Sequence, residues 1–420
     1  MKVPLPTLEV LERTRRGEPV DPADVAALVN AWTTGAASDA QMAAWCATAG
    51  LRGVPYEASL AVVRALLAGG ARLELGRLGP TADIRSAGGV GDSALVISAS
   101  CLAAAGGVIV ASTGARSIAH VGGVLDAIDA IPGMRSDLGV EQWVLQARDT
   151  GIVIAEPGER LVPEERRMAS LRDATATAEG DAMVAIAAAA RGISGGAGAL
   201  AVEIPGGSGA LLPDIEHART ACALAEGLGE EWNRVVAAVP SERAAPIGGV
   251  AGQLLEVREA FAVLRGEGDS ALVTAACALA AAALAAAGAD GDADSVRQMI
   301  RDGRGAATAE RWVAAQGGDQ AVVGHPELLP QAAIRATVQA TVGGIVTGAD
   351  AGRIGQAARW LGAGRLDPGQ VIDPLAGVEV VALPGAAVGE GDVLAIVHGS
   401  DAWLVDRAVE MVSEAIVVGD

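Results

Sequence analysis

Aromatic side chains are nearly missing from this sequence, which has one Phe, one Tyr and seven Trp among 420 residues. Hydrophobic residues still make up 51% of the chain, so Ala, Val, Leu and Gly must fill most of the core. Cysteine is scarce as well: Cys46, Cys101, Cys222 and Cys277 are scattered, with no C-x-x-C pair and no His/Cys cluster. This spacing argues against a zinc site and predicts buried, reduced thiols.

Positive charge is also in short supply, because 31 Lys and Arg face 51 Asp and Glu, for a net charge of −20. A nucleic-acid polymer is therefore not an expected partner, since its phosphates would need basic residues. The first residues show no apolar signal-peptide core, and the alanine-rich run 270–289 lacks an aromatic or basic belt. We expect a buried helix there, no membrane association, and a soluble cytoplasmic protein.

The composition and the hydrophobic periodicity of the chain change twice. Helical spacing fills roughly the first 75 residues, with Asp21 (before Pro22) and Ser38 as candidate N-caps. From about 80, helices alternate with short apolar strands such as VIVAST and GIVIAE, which is typical of parallel β-α-β units. The stretch DIRSAGGVGD within this part has the composition of a polar loop, and short β-type runs between glycine turns follow 365.

Four segments carry residues suited to binding an anion or a planar ring. Glycine-rich backbone before a helix exposes N–H groups to an anion, and paired guanidinium groups can bind carbonyl oxygens. The segments are the loop 85–93, the stretch 113–126 with His120, the pair Arg172 and Arg191, and the turn 206–209. Each has a plain alternative: a strand–helix turn, a structural histidine, surface salt bridges, or a chain reversal.

Together, in this order and spacing, these segments resemble the thymidine and pyrimidine-nucleoside phosphorylase family. DIRSAGGVGD stands where the family has D-K-H-S-T-G-G-V-G-D, and GARSIAHVGGVLDAID where it has S-G-R-G-x-x-H-T-G-G-T-x-D-x-L-E. GIVIAE, LVPEERRMASLRDATAT, GSGALLP and LLEVREA also resemble family segments, so the likeness covers nearly the whole chain.

The resemblance implies an α/β protein with two main domains. This agrees with the helical first 75 residues and the alternating helices and strands that follow. A small all-α domain would comprise 1–70 and 163–195. A larger mixed α/β domain would comprise 75–155 and 196–420, with a β-rich C-terminal subdomain at about 365–410. The resemblance places the substrate cleft between the two domains and implies a homodimer formed through the all-α domain.

The resemblance further implies pentosyl transfer, in which phosphate attacks C1′ of a pyrimidine nucleoside and the base leaves as an anion. The family's base-binding arginine matches Arg172 and its lysine matches Arg191. Its serine falls on Ala187, in the same base-binding helix as Val184, and its histidine falls on Arg85. Arg85, Arg172 and Arg191 are therefore the expected catalytic residues, acting through their charge because no covalent nucleophile is required.

The phosphate side departs from the family pattern. The family lysine falls on Ile84, a serine on Gly114 and a threonine on Val124. A charged hydrogen bond contributes roughly 1.5–3 kcal/mol, so these losses predict much weaker phosphate binding unless Arg85 or Arg116 compensates. The remaining expected anion ligands are Ser86, Gly89, Ser93, Thr113 and Arg116.

No organic cofactor is implied, and phosphate is the expected co-substrate. Some family members hold a monovalent cation between the first loop and a glutamate, and Gly88 and Glu256 match those positions; a structural salt bridge is the alternative for Glu256. Three hypotheses follow: a phosphorylase with altered specificity, a phosphate-independent hydrolase or base-exchange enzyme of specialised metabolism, and a non-catalytic nucleoside-binding homologue.

Overall fold

The chain folds into a helical bundle, a parallel sheet covered by helices, and a β-rich C-terminal region. The computed structural model describes residues 4–116, 122–158, 161, 163–367 and 369–419. In chain order the helices are α1 (Thr7–Arg16), α2 (Pro22–Thr33), α3 (Asp39–Arg52), α4 (Tyr56–Leu66), α5 (Asp92–Ala105), α6 (Val124–Ala130), α7 (Val140–Thr150), α8 (Pro163–Ala174), α9 (Asp181–Gly195), α10 (Ile215–Glu230), α11 (Gln253–Arg265), α12 (Ser270–Ala286), α13 (Ala293–Arg301), α14 (Arg304–Ala315), α15 (Ala321–Gly324), α16 (Ala351–Ala358) and α17 (Ala402–Ala415). The strands are β1 (Thr81–Ser86), β2 (Ile109–Ser112), β3 (Ile152–Ile154), β4 (Ala199–Gly206), β5 (Val235–Glu242), β6 (Val250–Ala251), β7 (Ile334–Gln339), β8 (Gly344–Ala349), β9 (Gly377–Val380), β10 (Ala387–Val388), β11 (Val393–Gly399) and β12 (Ile416–Gly419).

The helical bundle is built from α1–α4 and completed by α8 and α9, which arrive later in the chain. Both predicted N-caps are confirmed. Asp21 accepts the N–H of Ala23 at 3.0 Å, and Ser38 forms a capping box with Gln41 at the start of α3. These caps satisfy N–H groups that the first turn of a helix leaves without partners, which fixes where α2 and α3 begin.

A five-stranded parallel sheet, in the order β3-β2-β1-β4-β5, forms the centre of the larger domain. β1 covers the residues 81–86, so the prediction that the whole of DIRSAGGVGD is a loop was wrong. The polar residues of this strand are buried rather than solvated. Asp83 and Arg85 lie two residues apart, on the same face of the strand, and pair with each other inside the protein.

Two apolar layers cover the sheet. Ala82, Ile84, Ala199 and Ala201 pack with α5, α11 and α12 in one cluster. Alternate residues of β4, Leu200, Val202 and Ile204, point the other way and share a core with the helical bundle and α10. The alanine-rich run predicted as a buried helix is α12, whose Leu272, Ala276 and Leu279 are buried.

No single helix in the described ranges has the length and apolar character to cross a bilayer, and α11 and α12 qualify only as a pair bent by 76°. The β-rich region is wider than the predicted 365–410. Its two sheets, β6-β9-β11-β7 and β10-β8-β12, draw on the short strand β6 (Val250–Ala251) and on six strands between Ile334 and Gly419. β7 and β8 are half-exposed strands, so they lack the continuous apolar run that would have marked them in the sequence.

Candidate functional site

A cleft opens between the helical bundle and the ends of β1 and β2, where side chains from distant parts of the sequence meet. It consists of two adjoining cavities. The inner cavity is lined by 84–89, Gly122 to Val124, and a group of residues on α8 and α9. The outer cavity is lined by 113–116, 156–158, the facing side of α8, Arg359 and 365–367. They share Gly114, Ala115, Glu165, Ala169, Asp173 and Arg191.

The inner cavity brings together all the residues expected to bind the base. Arg172, Val184, Ala187 and Arg191 line it from α8 and α9, and Arg85 lines it from β1. Ala187 is one of the small side chains that leave this wall apolar, so hydrogen-bond donors come from the arginines. A planar ring with carbonyl oxygens is the kind of ligand that such a mixture of apolar walls and guanidinium groups can hold.

Arg191 is held in a fork by a carboxylate. Its Nε donates to Glu165 Oε2 at 2.8 Å and its Nη2 donates to Glu165 Oε1 at 3.1 Å. Glu165 is 2% exposed, so this pair is shielded from water. The bidentate geometry fixes the guanidinium plane, and its remaining N–H groups stay available at the cavity wall.

Arg172 uses its donors differently, on main-chain carbonyl oxygens of the segment between α8 and α9 and of the first turn of α9. Its Nε donates to Thr177 O at 3.2 Å, its Nη1 to Met183 O at 3.1 Å, and its Nη2 to Ala178 O. Burial lowers the pKa of this arginine. Three of its five N–H groups are thus committed to the protein, and two remain for a ligand.

Arg85 forms a buried ion pair with Asp83. Its Nε and Nη2 donate to Asp83 Oδ2 at 3.0 and 2.8 Å, and Nη2 also donates to Thr113 Oγ1. Burial raises the pKa of Asp83, and Arg85 opposes that rise. The hydroxyl of Thr113 is therefore bound to Arg85 and Asp83, and these contacts compete with its predicted role in binding an anion. The positive charge of Arg85 is already paired with the carboxylate of Asp83.

The glycine-rich loop follows β1 and carries the predicted anion ligands Ser86 and Gly89. Ser86 pairs in register with Glu203 of β4, and its Oγ donates to Glu203 Oε2 at 2.7 Å. Ser86 Oγ also accepts the N–H of Gly88 at 3.2 Å. Glu203 is in turn held by Arg243 Nη2 at 2.7 Å. The buried carboxylate of Glu203 thus lies beside the loop. It accepts the hydrogen bond from the Ser86 hydroxyl that a bound anion would otherwise accept.

Positions where the family carries a lysine and two hydroxyls are apolar. Ile84, Gly114 and Val124 all line the inner cavity. A side chain at Gly114 would have its Cβ 2.5 Å from Leu125 Cδ2 and 2.9 Å from Val124 Cγ1. The side chains of Leu125 and Val124 therefore occupy the space that a serine side chain at Gly114 would need.

Ser93 and Glu256 meet at the start of α5. The Ser93 N–H donates to Glu256 Oε2 at 3.0 Å and the Gly252 N–H to Oε1 at 3.1 Å. Burial, with the neighbouring Asp92, raises the pKa of Glu256 to about 8. Each Glu256 oxygen accepts one N–H group and keeps a second lone pair, so the cation at Gly88 and Glu256 stays a prediction. The described residues contain no group of three or more His, Cys, Asp or Glu suited to a metal ion.

Arg116 lies in the outer cavity and faces acidic residues. Its Nη1 lies 3.3 Å from Asp126 Oδ1 and its Nη2 lies 2.8 Å from Asp129 Oδ2. Arg365, from the C-terminal region, binds the same Asp126 through Nη2 at 2.8 Å and Nη1 at 3.1 Å. Both terminal nitrogens of Arg116 thus face carboxylates, and Arg116 lines the outer cavity rather than the inner cavity that contains the glycine loop.

Several residues of the cleft were not predicted from the sequence. The alternation of Asp83 and Arg85 is a signal for a strand, but Glu203 and Arg365 carry no local motif, and Glu165 was not singled out within LVPEERRMASLRDATAT. His120 lies outside the described residues.

Comparisons with known proteins match this architecture. Residues 8–70 match the helical bundle domain of the glycosyl transferase family, and 78–180 match its a/b domain. Residues 345–419 match the pyrimidine nucleoside phosphorylase C-terminal domain.

Curated relatives cover nearly the whole chain. A thymidine phosphorylase from Mesorhizobium japonicum is 32% identical, across 98% of this chain and 95% of its own. A pyrimidine-nucleoside phosphorylase from Geobacillus stearothermophilus is 28% identical, across 94% of this chain and 92% of its own. Anthranilate phosphoribosyltransferase from Thermus thermophilus shares the fold, with a TM-score of 0.55 at 21% identity, over 73% of this chain and 98% of the enzyme.

Proposed function

Since the chain belongs to the thymidine and pyrimidine-nucleoside phosphorylase family, we propose that it is a pentosyltransferase that cleaves or forms the N-glycosidic bond of a pyrimidine nucleoside. One observation carries the proposal: Arg85, Arg172 and Arg191 line a single cavity that also contains the glycine loop. The full-length match to relatives with phosphorylase names does not favour a phosphate-independent hydrolase or a non-catalytic homologue.

The proposed reaction is a displacement at C1′ of the pentose. An oxygen of phosphate forms a bond to C1′ while the C1′–N bond to the base breaks, and its electron pair passes to the base. Negative charge develops on the base carbonyl oxygens. Free N–H groups of Arg172 and Arg191 stabilise that charge in a site partly shielded from water, where hydrogen bonds to developing charge contribute most.

Glu165 has a positioning role in this scheme. By holding Arg191 through two hydrogen bonds of 2.8 and 3.1 Å, it sets the plane of the guanidinium before substrate binds. The transition state then gains a preorganised donor without a reorganisation cost. Val184 and Ala187 provide the apolar wall against which the ring packs.

The test is base release from uridine and thymidine with and without inorganic phosphate, followed by chromatography. We expect release to require phosphate and to yield a pentose 1-phosphate. Arg191→Gln should lower kcat/KM by about 10²-fold, because a charged hydrogen bond to the leaving base is lost. Arg191→Lys should retain much more activity, since it keeps the charge, and exposed Arg219→Gln should behave as wild type. Equal release without phosphate would contradict the proposal.

We further propose that the protein is a cytoplasmic homodimer formed through the helical bundle. Leu8 of α1 and Leu51 of α3 are 65% and 88% exposed, on helices that pack together. The four cysteines are free and buried, which suits a reducing compartment. Sedimentation should give twice 41.7 kDa. Leu8→Glu should shift it toward the monomer, and Leu328→Glu, which is exposed elsewhere, should not.

A further inference from the structure

The outer cavity is unusually rich in arginine for so acidic a protein. Its described lining includes Arg116, Arg166, Arg191, Arg359 and Arg365, against four carboxylates. The whole chain has 31 basic residues against 51 acidic ones. Guanidinium groups are thus concentrated beside the inner cavity, where the reaction is proposed to occur.

Arg359 is the least engaged of these arginines. Its Nε donates to the main-chain oxygen of Arg365 at 2.6 Å, and neither Nη1 nor Nη2 has a protein acceptor among the described residues. The side chain is half-buried and lines the cavity. Two terminal nitrogens of a guanidinium, pointing into a cleft without a carboxylate partner, are a ready donor pair for an anion.

The backbone around Arg359 is built in a rare way. α16 ends in a π-helical turn, Arg359–Ala363, in which Gly362 has φ +107°. Only glycine adopts this conformation without strain. The turn brings Ala363 O to the N–H of Gly122 at 3.1 Å and directs Arg365 to Asp126. π-turns often occur at functional sites, and this one joins the C-terminal region to the cleft.

Arg365 and Arg116 complete the group. Arg365 is fixed by two hydrogen bonds to Asp126, and Arg116 by Asp126 and Asp129. Within this group, Asp126 and Asp129 engage Arg365 and Arg116, whereas Arg359 has no ion-pair partner among the described residues. The two carboxylates restrain Arg365 and Arg116, so that their outer N–H groups are preorganised.

We propose that the outer cavity is a subsite for a phosphoryl group, bound by Arg359 with Arg365. This rests on the proposed pentosyl transfer, which involves phosphate, and on the apolar character of Ile84, Gly114 and Val124 where phosphate would otherwise be bound. The phosphoryl group has two sources. It is either the inorganic phosphate co-substrate or a phosphate ester on the pentose, since the two cavities share Gly114 and Ala115.

The experiment compares wild type with Arg359→Gln, Arg359→Lys and Arg353→Gln. Arg353 lies on α16 with its side chain 59% exposed and does not line the cavity, so it is the matched control. Calorimetry with inorganic phosphate and with uridine 5′-monophosphate gives Kd without any turnover. Kinetics give KM for phosphate and kcat/KM for uridine and uridine 5′-monophosphate. Thermal unfolding checks that each variant is folded.

If the subsite holds inorganic phosphate, Arg359→Gln raises its Kd and KM about 10-fold or more and leaves the KM for uridine unchanged. If it holds an ester, wild type has a higher kcat/KM for uridine 5′-monophosphate than for uridine, and Arg359→Gln removes that preference and raises the Kd for uridine 5′-monophosphate. Arg359→Lys restores part of either effect. The proposal is overturned if Arg359→Gln matches Arg353→Gln with both ligands.

Failure of the proposed function has a different signature. A wild-type protein that releases no base from any nucleoside would end the pentosyltransferase proposal. The two calorimetric titrations would still decide whether Arg359 binds a phosphoryl group.

Discussion

Replacing Asp83 by Asn tests whether the ion pair inside the sheet is charged. Asp83 is fully buried and Arg85 is 8% exposed, and their atoms approach to 2.8 Å. Removing one partner of a buried pair leaves the other charge uncompensated and costs about 3–5 kcal/mol. With an unfolding entropy of about 2.1 cal/mol/K per residue over 420 residues, Tm should fall by about 3–6 °C.

The assay is thermal unfolding at pH 7, with two further variants. Asp149→Asn removes a carboxylate from an ion pair in which both side chains are more than half exposed, so its Tm should change by less than about 1 °C. Adding Arg85→Met to Asp83→Asn should recover part of the loss, because the unpaired cation is removed. If the Tm of Asp83→Asn equals that of Asp149→Asn, Asp83 and Arg85 are not an ion pair of two charged groups, and the reasoning is refuted.

Three other outcomes follow from the cleft. Val124→Thr, which restores a hydroxyl to the inner cavity, should leave the KM for phosphate unchanged if Arg359 binds phosphate in the outer cavity; a KM about 5-fold lower would mean that phosphate binds beside the glycine loop. Burial, with the nearby Glu203, raises the pKa of Asp92 to about 7 from an ordinary 3.8, so the folded state keeps a proton that the unfolded state has lost. Stability should therefore fall as pH rises from 4 to 7, by an amount on the order of 4 kcal/mol, and Asp92→Asn should flatten the profile of Tm against pH; parallel profiles would count against it. Glu165→Gln should lower kcat for uridine and change KM much less, because Arg191 loses its fixed orientation. If kcat falls equally in Glu165→Gln and in the exposed control Glu216→Gln, Glu165 has no positioning role.

Much of the architecture was readable from the sequence, because local rules dominate there. Asp21 and Ser38 cap their helices through side chains that act within three residues. α12 is buried as its alanine and leucine content indicated. The family motifs also predicted that Arg85, Arg172 and Arg191 share one site, and all three line the inner cavity.

The parts that failed depend on pairing across the fold. The charged residues of DIRS predicted a solvent-exposed loop. In the structure Asp83 and Arg85 form an ion pair on one face of β1, which allows both to be buried. Glu203 accepts a hydrogen bond from Ser86 because the two residues are paired between β1 and β4. No local sequence pattern encodes this pairing. Arg359 and Arg365 lie more than 230 residues from Asp126 in the chain, so their place in the cleft follows from tertiary packing alone.

The core that β4 shares with the helical bundle has a consequence for the order in which the protein can fold. Leu200, Val202 and Ile204 belong to the same apolar cluster as Trp32, Trp45 and Leu66. The first four helices cannot complete that cluster until α8, α9 and β4 have left the ribosome, about 140 residues after the end of α4. At a synthesis rate of about 5–20 residues per second, one apolar side of α1–α4 therefore stays uncovered for about 7–28 s. A fragment cut after residue 70 would keep that side exposed permanently.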